Sequence, residues 1–121
     1  NQVRVLMKKS IQTEPSLANQ MDAQVEAAAE LLKSMANPQR LRVLCLLLEG
    51  ERSVAQINDQ IELSQSALSQ HLAVLRESHL VNTRREAQTV YYTVAPGPVH
   101  DIIQTLHAIY CAKPKAPRAR K

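Results

Sequence analysis

The chain has 121 residues, 45% of them hydrophobic, and a net charge of +4. That length allows one domain with a modest core, and the apolar content excludes wholesale disorder. With three Tyr, no Phe and no Trp, the core must be aliphatic, and the aromatic platforms on which single-stranded nucleic acid stacks are missing.

The charge is concentrated at the ends. Arg4, Lys8 and Lys9 open the chain, and Lys113, Lys115, Arg118, Arg120 and Lys121 close it; residues 15–112 hold the remaining seven basic residues against ten acidic ones, a net of −3. Affinity for nucleic acid therefore has to be argued locally rather than from total charge. The longest purely apolar run, Val43 to Leu48, is far too short to span a membrane, and no apolar export segment is present. Two cysteines, Cys45 and Cys111, are too few for a secreted disulfide scaffold, so a cytoplasmic location is expected. The first residue is not Met, and Met7 is a candidate start.

In chain order, residues 1–20 are polar and mixed, with Pro15, and are expected to form a flexible segment. A helix is expected from Asp22 to residue 35, with Val25, Ala28, Ala29 and Leu32 at helical spacing. Asn37-Pro38 is a sharp helix start, with Asn as cap and Pro in the first turn. The helix should run Gln39 to Glu49 and stop at Gly50. Its Leu41, Leu44, Cys45 and Leu48 form one face, and Val43, Leu46 and Leu47 make most of the rest apolar, as in a buried helix.

Ser53-x-x-Gln56 is a capping box opening a short helix with Val54, Ile57 and Ile61 inward. Glu62-Leu63-Ser64 connects it to a longer helix, Gln65 to about Ser78. There Leu68, Leu72 and Leu75 face inward, while Gln65, Ser66, Ser69, Gln70, Ala73 and Arg76 face out. From Val81 the period becomes two. Val81 and Thr83, then Val90, Tyr92 and Val94, mark a hairpin with its tip near Arg85 to Gln88. Because that tip has no Gly, a long loose turn is expected rather than a tight primed one. Ala95-Pro96-Gly97-Pro98 breaks the strand, and a last helix carries Val99, Ile102, Ile103, Leu106 and Tyr110 on one side. Residues 112–121 are expected to be a disordered basic tail.

Short helix, three-residue turn, longer helix and hairpin describe a winged helix-turn-helix, mainly α with a small β wing, over residues 21–111. The candidate DNA-contacting residues are Gln65, Ser66, Ser69, Gln70, His71 and Arg76 on the longer helix, and Arg84 and Arg85 in the wing. Gln pairs with adenine edges, Ser with several bases, and Arg with phosphate or the minor groove. The alternative is a solvated polar helix and an ordinary hairpin. His71 and His79 also admit a purely structural reading.

Ala36-Asn37-Pro38-Gln39-Arg40-Leu41 resembles the Ala/Ser-x-Pro-x-Arg-Leu motif of ArsR-family repressors. Leu63-Ser64-Gln65-Ser66-Ala67-Leu68-Ser69-Gln70-His71-Leu72-Ala73-Val74-Leu75 resembles their recognition helix, and Tyr91-Tyr92 their second wing strand. The likeness covers residues 22–111. It implies a homodimer built by residues 22–35 and 98–110, on a near-palindromic double-stranded operator.

In that family the inducer varies. One metal site type places Cys pairs on the helix before the recognition helix, and Val54–Gln60 has none. Another uses Asp-x-His and His-x-x-Glu on the last helix; Asp101-Ile102-Ile103 lacks the His, and His107-Ala108-Ile109-Tyr110 lacks the carboxylate. His100 and His107 stand roughly 10 Å apart by helix rise, too far to share one zinc.

Cys45 in Arg-Val-Leu-Cys-Leu-Leu and Cys111 after Tyr110 instead resemble the family's dithiol branch, which senses persulfide and polysulfide. The resemblance implies that reduced protein represses, and that reactive sulfur species or oxidants link Cys45 to Cys111 and release DNA. A bridge containing extra sulfurs spans more than a direct disulfide, whose Cα atoms must lie within about 7 Å. His107, one turn before Cys111, is either a helper of that thiol or a surface residue of the dimer seam.

Three alternatives stand beside this one. Cys45, His107 and Cys111 could form a three-ligand metal site, the regulator could lack any inducer, or Cys45 could be an ordinary small apolar residue of a Leu-rich helix and Cys111 a stray thiol at a helix end. No Cys-x-x-Cys, nucleophile–base pattern or Gly-rich phosphate loop marks an enzyme or a cofactor site, so neither enzymatic activity nor a cofactor is expected.

Overall fold

The computed structural model describes residues 16–111. The candidate start at Met7, most of the expected flexible segment and the basic tail lie outside them. The chain divides into two units between Lys33 and Ser34.

The first unit holds helix α1 (Leu17–Asp22) and all but the end of α2 (Val25–Met35). Ser16 caps α1, its hydroxyl accepting from the Asn19 amide at 3.2 Å. Two expectations are corrected here. Residues 17–20 are helical rather than part of a loose segment, and the longer helix starts at Val25, not Asp22. No helix-breaking residue separates the two at Ala23–Gln24, and nothing in the structure explains that break. The helical stripe foreseen on α2 is uncovered in this chain, with Val25 47% and Leu32 53% exposed.

In the second unit, α3 (Pro38–Leu48) begins as foreseen. The Asn37 side chain accepts from the Gln39 and Arg40 amides at 2.8 and 3.1 Å, with Pro38 in the first turn. Gly50, at φ 151, follows the C-cap Glu49. Ser53 and Gln56 close a complete capping box at the head of α4 (Val54–Gln60). Ser64 caps α5 (Gln65–Glu77), accepting from the Ala67 amide at 3.1 Å. Helix α5 ends in a Schellman turn: the Leu80 amide reaches the Leu75 carbonyl at 2.9 Å and the His79 amide the Arg76 carbonyl at 3.0 Å. His79 takes the left-handed position of that turn, at φ 60, where glycine is the usual occupant.

The wing has three strands, not two, in the order β1-β3-β2. Strand β1 (Arg52–Ser53) pairs antiparallel with β3 (Thr89–Val94), which pairs with β2 (Val81–Glu86). Glu86 pairs with Thr89, so only Ala87 and Gln88 form the tip. The expected long loop is thus corrected to a tight one, made without glycine by placing Ala87 at φ 56. Helix α6 (Pro98–Cys111) completes the unit.

The core is aliphatic. Val43, Leu44 and Leu47 of α3, Ile57 of α4, Leu68, Leu72 and Leu75 of α5, and Val99 and Ile103 of α6 are buried, with Tyr92 from the wing. Each such side chain contributes about 1.5–3 kcal/mol of transfer free energy. Helix α3 packs against α5, α6 and β3. Its burial is one-sided, however. Leu41, Cys45, Leu46 and Leu48 are only half-buried, because that flank forms a cleft wall.

Candidate DNA interface and thiol cleft

The proposed reading face is set by the turn before α5. The Asn58 side-chain amide donates to the Leu63 carbonyl at 3.0 Å, fixing the α4–α5 connection. Residues Gln65, Ser66, Ser69, Gln70 and Arg76 are exposed, and Ala73 is half-buried, while Leu68, Leu72 and Leu75 are fully inside. This separation follows directly from helical spacing.

His71 sits differently. It is half-buried, and its Nδ1 lies 3.3 Å from an NH of Arg40. Arginine has no acceptor, so Nδ1 accepts and the ring proton is on Nε2. Arg40 also donates through Nε to the Ser34 carbonyl at 2.7 Å. Ser34 in turn meets Ser78, beyond the end of α5, hydroxyl to hydroxyl at 2.7 Å.

At the wing the two predicted arginines part company. Arg76 donates to the Tyr92 hydroxyl at 2.6 Å, tying α5 to one face of the sheet. Strand alternation places Thr83, Arg85, Val90 and Tyr92 on that face, where with Arg76 they line a cleft of about 290 Å³ that Arg84, between Thr83 and Arg85 in the strand, also borders. Arg84 is on the other face. Its Nε and one NH engage Glu51 at 2.9 and 2.8 Å, and its second NH engages Glu86 at 2.8 Å. Its guanidinium lies 4.5 Å over the Tyr91 ring. Hydrogen bonding to Arg84 holds the Glu51 carboxyl below its ordinary range, and Glu51, with Glu86, raises the Arg84 guanidinium further.

The two cysteines, 66 positions apart in sequence, line one cleft of about 610 Å³ between α3 and α6. Its apolar wall is Leu41, Leu46, Leu48 and Ile61, and Arg42, Glu49, Gln60 and His107 supply polar groups. Both thiols are free, Cys111 exposed and Cys45 half-buried. Burial pushes the Cys45 thiol up, and the nearby charges of Cys111 and Glu49 push it the same way. Among the described residues no group of three or more His, Cys, Asp or Glu side chains is arranged to hold a metal ion.

A capped recognition helix beside a three-stranded wing, with polar side chains outward and leucines inward, defines a winged helix-turn-helix DNA-binding regulator. Residues 37–83 match the family model described as bacterial regulatory protein, arsR family. The transcriptional activator HlyU of Vibrio cholerae is 52% identical over 97 residues, 80% of this chain and 90% of that protein. The structure of reduced HlyU from that organism superposes with a TM-score of 0.73 at 53% identity, covering 76% of this chain and 97% of that one. The transcriptional repressor BigR from Xylella fastidiosa gives a TM-score of 0.74 at 37% identity, covering 81% and 100%. The chain belongs to the ArsR family of bacterial transcriptional regulators and groups with HlyU and BigR, both named as transcriptional regulators. No helix among the described residues is long and apolar enough to cross a membrane.

Proposed function

We propose that this regulator is a cytoplasmic thiol-switched repressor, whose reduced homodimer binds a near-palindromic operator and releases it when Cys45 and Cys111 are linked. The observation that carries the reading is the shared cleft: one thiol stands on α3, which packs against the recognition helix, and the other on α6. A covalent link there constrains both helices at once, which can bias a dimer with two arrangements. Support for the dimer comes from uncovered apolar residues, Leu17, Met21, Val25 and Leu32 in the first unit and Ile109 and Tyr110 in the second. On DNA, Gln65, Ser66, Ser69 and Gln70 read base edges, with Arg76 and Arg85 flanking them and His71 offering its Nε2 proton.

The inducer is a persulfide or polysulfide. Cys111, exposed, is the sulfur met first. Its thiolate attacks the outer sulfur of a persulfide RS–SH, giving Cys111–S–SH and expelling RS⁻. The Cys45 thiolate then attacks the Cys111 sulfur, closing the disulfide and expelling HS⁻. Polysulfides deliver more than one sulfur and leave a longer bridge, which spans more than a direct disulfide does. Peptide mapping by mass spectrometry after inorganic tetrasulfide tests this chemistry. The expected product joins the Cys45 and Cys111 peptides of one chain, with extra sulfur in the bridge. Modification of each cysteine separately, with no joined peptide, would overturn it.

A further inference from the structure

We infer that Glu51 is a positioning residue that withholds Arg84 from DNA, leaving Arg85 as the wing's contact cation. The inference rests on the wing lying against DNA. Three of the five N–H groups of Arg84 are already engaged by carboxylates, the Nε and one Nη to the two Glu51 oxygens and the other Nη to Glu86. One face of the guanidinium lies over Tyr91. One positive charge is therefore set against two negative ones, and the cluster presents a net −1 to any phosphate.

A bidentate arginine–carboxylate fork is the strong geometry of this interaction, and a phosphate oxygen would either have to displace it or meet the two remaining N–H groups beside two carboxylates. Arg85 differs on each count. Alternation turns it to the opposite face, beside Arg76 and Tyr92, and no carboxylate among the described residues pairs with it.

The clamp also has a place in the fold. Glu51 lies between the end of α3 and β1, and it reaches across the Tyr91 strand to the middle of β2. It fastens the outermost strand of the wing to the junction that follows the Cys45 helix. A wing held this way is aimed before DNA arrives, at the cost of one phosphate contact per protomer.

The test is the salt dependence of affinity, measured on a duplex enriched from a random pool by the wild-type protein. Each phosphate contact contributes about 0.9 to the slope of log K against log salt. Arg84→Gln is expected to leave the slope unchanged, and Arg85→Gln to flatten it by about 0.9 per protomer. Glu51→Ala, at an exposed position, is expected to steepen it by about 0.9 per protomer and to tighten binding at low salt.

The Glu51→Ala/Arg84→Gln double variant separates release of Arg84 from mere removal of a negative charge. The gain disappears in the double variant when Arg84 is what Glu51 releases. A flatter slope for Arg84→Gln, or a Glu51→Ala gain that persists in the double variant, would overturn the clamp. If neither Arg85→Gln nor Gln70→Ala weakened binding, the DNA face itself would fall, and the clamp with it.

Discussion

Arg40 and His71, 31 positions apart, meet at 3.3 Å, and the same guanidinium holds the Ser34 carbonyl at 2.7 Å. Arg40 comes from the first turn of α3, Ser34 from the last turn of α2, and His71 from the middle of α5. One side chain thus ties the recognition helix to α3 and α3 to the last turn of α2. It also satisfies a helix-end carbonyl that has no partner within α2. Arg40→Met keeps the aliphatic stem and loses both bonds, and should cost about 1–3 kcal/mol in urea unfolding. DNA affinity should fall as well, because α5 loses its anchor. A variant with unchanged stability and affinity would mean the bridge positions nothing.

Ala87 is one of two residues at the wing tip and sits at φ 56. An L-residue there pays roughly 1–2 kcal/mol, part of which glycine regains against its larger unfolded-state entropy. Ala87→Gly should therefore stabilise the protein by about 0.5–1 kcal/mol and raise Tm by a few degrees, read by thermal melting. A lower Tm would show that the tip is not strained.

Much of this fold could be read in advance because its signals are local. Asn37-Pro38, the Ser53–Gln56 pair and Ser64 each fix a helix start within four residues of chain. What escaped is non-local. Strand β1 has two residues and exists because Arg52 and Ser53 find Tyr92 and Tyr91 nearly forty positions on. No pattern within so short a segment can announce it.

Arg84 illustrates the same limit at the site. As a basic residue in a wing it reads as a DNA contact, yet Glu51, 33 positions earlier, holds it. Cys45 and Cys111 were legible as a pair by resemblance, whereas the cleft containing them, with Leu41 and Ile61 in its wall, needed the packing of α3 on α6. The tight wing tip was missed because Ala87 bears a conformation that its residue type argues against.

Gln70 and Leu72 stand two residues apart on α5 and point opposite ways, one exposed and one buried. Leu72→Ala should cost about 2–5 kcal/mol of stability by leaving a cavity. Gln70→Ala should change stability by no more than about 0.5 kcal/mol, but cost about 1–3 kcal/mol of discrimination on operator DNA if it reads a base. Denaturation and DNA titration of both variants would show the two effects separating. Their failure to separate would argue against the assigned face.

Cys45 has a thiol pushed above its ordinary value of 9.0, chiefly by burial. A raised pKa means less thiolate at neutral pH than an unperturbed thiol has. Iodoacetamide should therefore modify Cys45 slowly at pH 7, with a rate still climbing beyond pH 9. Cys111, being exposed, should be modified first. Faster labelling of Cys45 at pH 7 would reverse the proposed order of sulfur attack.

The most direct test of the thiol switch is operator affinity at one fixed salt concentration, comparing reduced protein with protein treated with inorganic tetrasulfide, in wild type and in Cys45→Ser. Treatment should weaken wild-type binding by tenfold or more, about 1.4 kcal/mol, and leave Cys45→Ser unaffected. Equal binding of reduced and treated wild type would contradict the switch, leaving a DNA-binding regulator whose two cysteines are ordinary residues.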